Sequence, residues 1–136
     1  MRELRFRAWD KVKKEIVNVE SISFRNELVG LSHLTRKHFV FQRDFSEIEL
    51  LQFTGLQDKN GVDIYEGDII KLDRTDCNEK GIKLHIDMVR RDEVGRYHVD
   101  DKHLHHCRLK KCEVIGNKFE NPELLNLDEE NYNGAD

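Results

Sequence analysis

Proline occurs once in these 136 residues, at Pro122, and no stretch rich in Pro, Gly or Ser interrupts the chain. A flexible linker between separate domains is therefore not expected. No apolar run approaches the roughly 18 residues a membrane-spanning helix requires. The charged start Met1-Arg-Glu-Leu-Arg has no apolar stretch behind it, as a secretory signal would. The expected location is the cytoplasm, with no membrane partner. Three cysteines (Cys77, Cys107, Cys112) are an odd number, and we read them as free thiols in a reducing compartment.

Hydrophobic residues make up 38% of the chain and charged residues 37%, which suits a thin core and wet loops. The net charge of -4 is unevenly placed. Residues 119–136 carry six acids and no bases, whereas residues 1–43 hold ten bases against five acids. The body is mildly basic at its start, and an acidic tail supplies the negative sign. A domain devoted to nucleic acid usually shows a stronger excess, so a solvated surface is the plainer reading.

Alternation dominates the chain. Leu4, Phe6 and Ala8 alternate with Arg5 and Arg7, which predicts a half-buried strand. Asp10 to Lys14 is a polar turn, Glu15 to Val19 the returning strand, and Ile22 and Phe24 continue it. Residues 25–37 keep no helical period and are expected to form a loop. Phe39 and Phe41 alternate around Val40. Residues 45–56 fit either a short helix or a strand, and the Phe53-Thr54-Gly55 end favours the strand. Ile69 to Leu72 predicts a buried strand. Ile82, Leu84, Ile86 and Met88 give the cleanest period, with Tyr97 and Val99 as the expected return partner. Residues 101–111 suggest a helical turn, and Cys112 to Ile115 a last strand. Asn121-Pro122-Glu123 opens a short C-terminal helix, because Asn caps and Pro suits a first turn. The pattern specifies a mainly β, antiparallel barrel or sandwich. It allows one domain over 1–125 or two closely packed β units, 1–45 and 46–125, with 126–136 as an acidic tail.

Catalysis finds little support in the sequence. Cys77 lies beside Asp76 and Glu79, which disfavour a thiolate, and no G-x-S-x-G elbow is present. We expect no enzyme. His98, His103, His105, His106, Cys107 and Cys112 are zinc-ligand types, and His103, His105, His106 and Cys107 are the metal candidates. Their spacing is poor, with neither C-x-x-C nor H-x-x-x-H, so no metal or cofactor is expected. The simpler interpretation is a polar connection with Cys112 in the core.

Two surfaces invite binding. Arg5, Arg7 and Trp9 share one face of the first strand, and Lys11 and Lys13 follow in its turn. Such a face stacks bases and holds phosphates, although Trp9 would equally pack on a second β layer. The stretch from Leu50 to Ile70 carries the turn Asp58-Lys59-Asn60-Gly61, where Asn60-Gly61 supplies positive φ angles and Asp58 bonds the turn's amides. Tyr65, Glu66 and Asp68 form a second turn. These residues either specify the fold or present an acidic edge to a basic partner.

Four blocks resemble one family, in order along the chain. They are Phe6-Arg7-Ala8-Trp9-Asp10, the run from Gln52 to Gly61, Ile64-Tyr65-Glu66-Gly67-Asp68-Ile69, and Glu113 to Asn117 with Asn121 to Leu125. They resemble the YopX family, small proteins of phages and prophages of Gram-positive bacteria. The resemblance implies a mostly β fold with a small SH3-like barrel, and it carries no catalytic or ligand residues over to this chain. Residues 73–111 match no block. The expected role is that of a non-enzymatic binding protein. Its expected partners are copies of itself, a host or phage protein, or nucleic acid.

Overall fold

The computed structural model describes residues 4–73, 84–99, 102–103 and 112–126. The chain divides into two compact units, one ending at Phe53 and the other beginning at Thr54.

In the first unit β1 (Phe6–Asp10) and β2 (Glu15–Ser23) form the expected hairpin, with Ala8 opposite Val17 and Trp9 opposite Ile16. The Lys14 amide donates to the Asp10 carbonyl across its turn at 2.7 Å, and Lys14 adopts a left-handed φ of 57°. Leu28–His33 is strand β3, where a loop was expected within 25–37. Val29 and Leu31 from this strand are fully buried. Gly30 disguises the alternation for a packing reason. A Cβ there would lie 2.5 Å from Ser21 Oγ, beside the register shift between Val19 and Ser21 in β2.

Strand β4 (Val40–Asp44) pairs with β3, setting Phe41 opposite Leu31. A 3₁₀ turn, Phe45–Glu47, leads into β5 (Ile48–Gln57), and the Glu47 carboxylate accepts the Asp44 amide at 3.0 Å. The ambiguous stretch 45–56 is thus a turn and then a strand. Ala8, Val17, Val29, Leu31 and Ile48 form the core, with Val19, Phe41 and Phe45 packed on it. Leu4, expected on that face, is 69% exposed.

Strands of this unit bond in the order β4-β3-β2-β1-β5. In a flat sheet β4 and β5 would stand about 19 Å apart at the usual strand spacing. The chain from Asp44 to Ile48 reaches at most about 14 Å. The sheet must curl. One ion pair spans the curl from β4 to β1: Arg43 Nε lies 3.1 Å from Asp10 Oδ1, with the Asp10 side chain 0% exposed. Asp10 Oδ1 also accepts the Val12 amide at 3.0 Å, while its Oδ2 is buried without a partner. No ladder closes this curled sheet among the described residues.

In the second unit the end of β5 lies beside β6 (Asp63–Tyr65), and Thr54 Oγ1 donates to the Ile64 carbonyl at 2.7 Å. β7 (Asp68–Asp73) lies between β12 (Cys112–Asn117) and β8 (Leu84–Met88). β10 (Tyr97–Val99) lies between β9 (Arg90–Arg91) and β11 (Lys102–His103). The strand of Leu84 and Met88 therefore pairs with β7, and Tyr97 and Val99 return along β9 instead. Ile64, Ile70, Leu72, Val89, Tyr97, Val99 and Cys112 form a second core, so Cys112 is buried as expected. In β12 a register shift falls between Val114 and Gly116, and a Cβ at Gly116 would meet Asn121 Oδ1 at 2.5 Å.

Pro122–Asn126 is a 3₁₀ helix, shorter and tighter than the helix its cap residues suggested. Lys102 and His103 are strand, within the segment expected to turn helically. The rest of that turn, Ile82, Cys77, Cys107 and the tail beyond residue 126 lie outside the described residues. The fold is mainly β with antiparallel sheets.

The Asp10–Arg43 pair yields a stability prediction. Arg43→Ala strands a fully buried carboxylate, which typically costs 3–5 kcal/mol. We expect a loss near the lower end, about 3 kcal/mol, because Arg43 keeps some contact with water. A chemical-denaturation midpoint measures it. Wild-type stability in Arg43→Ala would show that the pair does not hold the curl.

Candidate functional site

The first hairpin does not gather its basic residues on one wet face. Arg5, Arg7 and Trp9 are each half-buried. Arg7 stands opposite Leu51, and the Arg5 guanidinium lies 4.3 Å over the Phe53 ring. Leu51 and Phe53 are both buried, so this face is packed. Lys11 and Lys13 sit in the turn and go elsewhere. Lys11 Nζ donates to the Ser46 carbonyl at 3.3 Å, and Lys13 Nζ stands 5.6 Å from the Phe41 ring centroid.

The β3–β4 hairpin gathers what the first hairpin does not. His33 and Phe39 meet edge to face at 6.0 Å, His33 and Phe41 lie 5.8 Å apart, and His38 lies 4.8 Å from Phe39. Arg36 stands 5.9 Å from the Phe39 ring and Arg43 4.9 Å from the Phe41 ring. These contacts join cations and rings into one continuous cluster. Phe39 is 50% and Val40 69% exposed. From Leu28 to Arg43 the chain has no acid. The nearest carboxylates are Glu20, whose Oε1 accepts the Ser32 hydroxyl of β3 at 2.5 Å, Glu15, 3.7 Å from His33 Nδ1, and the buried Asp10. The acid-free run was readable in the sequence. Residues 25–37 looked polar and aperiodic because Gly30 and Ser32 broke the strand signal.

The central block is built by backbone geometry. Asp58 Oδ1 accepts the amides of Asn60 at 2.8 Å and Val62 at 3.0 Å, and its Oδ2 accepts the Val114 amide of β12 at 2.9 Å. The Gly61 amide donates to the Asp58 carbonyl at 3.0 Å, and Gly61 has a φ of 79°. Asn60 needs no positive φ, contrary to expectation, since glycine alone carries the reversal. Burial works to raise the Asp58 pKa. The Val114, Val62 and Asn60 amides and the Lys59 charge outweigh it, so the carboxyl sits below its ordinary value.

Tyr65, Glu66 and Asp68 serve a second reversal at Gly67, where φ is 86°. Asp68 Oδ2 accepts the Tyr65 amide at 2.8 Å, and both side chains are buried. Glu66 is half-buried, 3.9 Å from Arg91. Two of the three residues of the expected acidic edge therefore face inward.

These turns fall in the blocks that carry the resemblance, and the model of the YopX protein family matches residues 5–126. The chain belongs to the YopX family. The match takes in both cores and every strand of the described residues, with the 3₁₀ helix Pro122–Asn126. The fold is also similar to the crystal structure of protein EF1440 from Enterococcus faecalis, with a TM-score of 0.62 and 27% identity. That likeness covers 92% of this YopX protein and 99% of EF1440. No match was found among curated proteins.

The second unit of this YopX protein uses the Asp58 turn again. Asp92 Oδ1 accepts the amides of Val94 at 3.0 Å and Arg96 at 2.8 Å, and Gly95 has a φ of 86°. Asp92 Oδ2 lies 2.6 Å from His98 Nε2 and 3.3 Å from Arg96 Nε. The His98 hydrogen bond and then the Arg96 amide hold this carboxyl well below the usual range. The Asp-x-x-Gly spacing of Asp58-Gly61 and Asp92-Gly95 is the signal that links them.

Among the described residues no three His, Cys, Asp or Glu side chains converge as metal ligands. His105, His106 and Cys107 lie outside those residues, and His103 is described only as strand backbone. Among the described residues no helix is long and apolar enough to cross a membrane.

Asp58→Asn removes one acceptor while keeping the shape, so one of the three amide bonds must fail. A lost charge-assisted bond that leaves a buried donor costs about 1.5–3 kcal/mol. The folded pKa lies below the unfolded value, so the wild-type contribution is fully present above the unfolded pKa, about 4. It is lost as pH falls through the folded pKa. Denaturation midpoints across that range should fall less steeply with acid in Asp58→Asn than in the wild type. Parallel profiles would remove Asp58 from this role.

Proposed function

We propose that this YopX protein is a non-enzymatic interaction module of the phage or prophage cytoplasmic repertoire, acting through self-association or a protein partner. It catalyses no reaction. The observation that carries this reading is the edge of β4. Among the described residues β4 hydrogen-bonds to β3 alone, and Val40 is 69% exposed along it. An unpaired edge with apolar side chains is a template for another strand. The first unit supports the reading as an SH3-like small barrel. Its four-stranded meander returns through a 3₁₀ turn to lay β5 against β1. Binding on such a scaffold needs no pocket, only a rigid edge.

The first hairpin favours a nucleic-acid role less, because Arg5, Arg7 and Trp9 pack beside buried Leu51 and Phe53.

Light scattering over a concentration series tests self-association. The wild type should move towards the mass of a dimer as concentration rises. Val40→Lys with Gln42→Lys, two exposed positions on β4, should hold it monomeric by setting like charges along the edge. A wild type that stays monomeric throughout, or a double variant that dimerises equally, would count against the β4 edge.

A further inference from the structure

The ring cluster of the β3–β4 hairpin carries an inference beyond edge pairing, because it rests on side chains rather than on the β4 backbone. We infer that this hairpin binds single-stranded nucleic acid, with Phe39 as a base-stacking platform and Arg36 and Lys37 as phosphate contacts.

Three features of one surface fit that ligand class. The first is the ring itself. Phe39 is half exposed and held from two sides, edge to face by His33 at 6.0 Å and by His38 at 4.8 Å. A ring fixed in place and open to solvent stacks an unpaired base at little ordering cost. The second is charge. Arg36, Lys37 and His38 are exposed around it, and no acid occurs from Leu28 to Arg43. The third is the mounting. Phe41, the next ring along the strand, is backed by Leu31 in the core and flanked by Lys13 and Arg43. A polyanion with flat apolar faces matches cations interleaved with rings. A duplex hides its base faces and would use only the charge.

The acids facing the cluster are accounted for. Glu15 faces His33 at 3.7 Å, Glu20 is held by the Ser32 hydroxyl across from Val40, and Asp10 is fully buried against Arg43. Asp44 and Glu47 bond to each other across the 3₁₀ turn at the far end of β4. Among the described residues none of these carboxylates pairs with Arg36 or Lys37.

The test is fluorescence anisotropy on the full chain with labelled oligothymidylate and oligouridylate of roughly 15 nucleotides, at low salt. The proposal expects binding to one or both, which also distinguishes DNA from RNA. Phe39→Ala should weaken it at least about tenfold, whereas Phe39→Tyr keeps the stacking face and should bind like the wild type. Arg36→Ala with Lys37→Ala should weaken binding and flatten the log–log salt slope by about 1.4, at about 0.7 per charge on single strands. Arg25→Ala, an exposed cation in the β2–β3 turn, should leave affinity within about twofold. Denaturation midpoints identify any variant that loses affinity by unfolding, and the Phe39→Tyr and Arg25→Ala arms still decide the matter. Three results would overturn the inference: no binding at low salt, equal affinity of Phe39→Ala and the wild type, or equal competition by polyglutamate. The last would assign the surface to acidic protein. Affinity is read from the titration midpoint and its change between variants, and the Val40→Lys, Gln42→Lys monomer can be titrated alongside, so failure here and failure of self-association are separable.

Discussion

A buried carboxylate sets the shape of the first unit. Asp10 ends β1 with no exposure, and the guanidinium that meets it comes from β4, three strands away in the bonding order. The two groups meet only in a curled sheet, and the three-residue turn between β4 and β5 imposes the same curl through the backbone. The constraint extends outward. With its Nε on Asp10, Arg43 lays its charge 4.9 Å from the Phe41 ring, and Phe41 in turn touches His33. The exposed ring of Phe39 rests on that sequence of contacts. The Asp10 oxygen left without a partner is the cost of bringing a charge inside, since replacing such pairs by apolar groups often stabilises a fold. The geometry of the pair fits a role in positioning the hairpin.

The second unit solves a different problem by repetition. Among the described residues its strands are short, so reversals take up much of the chain. Asp58 and Asp92 each gather two amides with one oxygen and leave the other free to reach outward. Asp58 uses it on Val114, 56 residues on, and Asp92 uses it on His98. At Asp58 a local turn thereby becomes a long-range tie, whereas Asp92 stays within its own hairpin. Loop closure over such a span is entropically costly, and a charge-assisted bond at its end offsets part of that cost.

Much of this was legible in the sequence, for reasons that differ between elements. β1 and the start of β2 carry a readable alternation because Ala8 and Val17 turn one face to the core, and period two follows from that. The turn at Gly61 was readable from its Asp and Gly, although the Asn beside it proved to be a bystander in φ. β3 was not legible, since Gly30 is there to clear Ser21 and gives no apolar signal. The first hairpin misled in the other direction. Arg5, Arg7 and Trp9 do alternate with Ala8, but their face lies beside buried Leu51 and Phe53, so the alternation survives without a wet face. The aromatic cluster of β3–β4 depends on pairing His33 with the residues before β4, a tertiary fact that no local window holds.

The family places this chain among YopX proteins, and the geometry divides its work. The turns of the central block specify the fold, while the β3–β4 hairpin of the first unit holds an exposed ring among cations. The most direct measurement of that division is a backbone amide chemical-shift titration with a short unlabelled oligothymidylate. The account predicts shifts confined to residues 33–41 and the Lys13 turn that touches them. Shifts centred instead on Arg5 to Trp9 or on Tyr65 to Asp68, or no shifts at all, would contradict it.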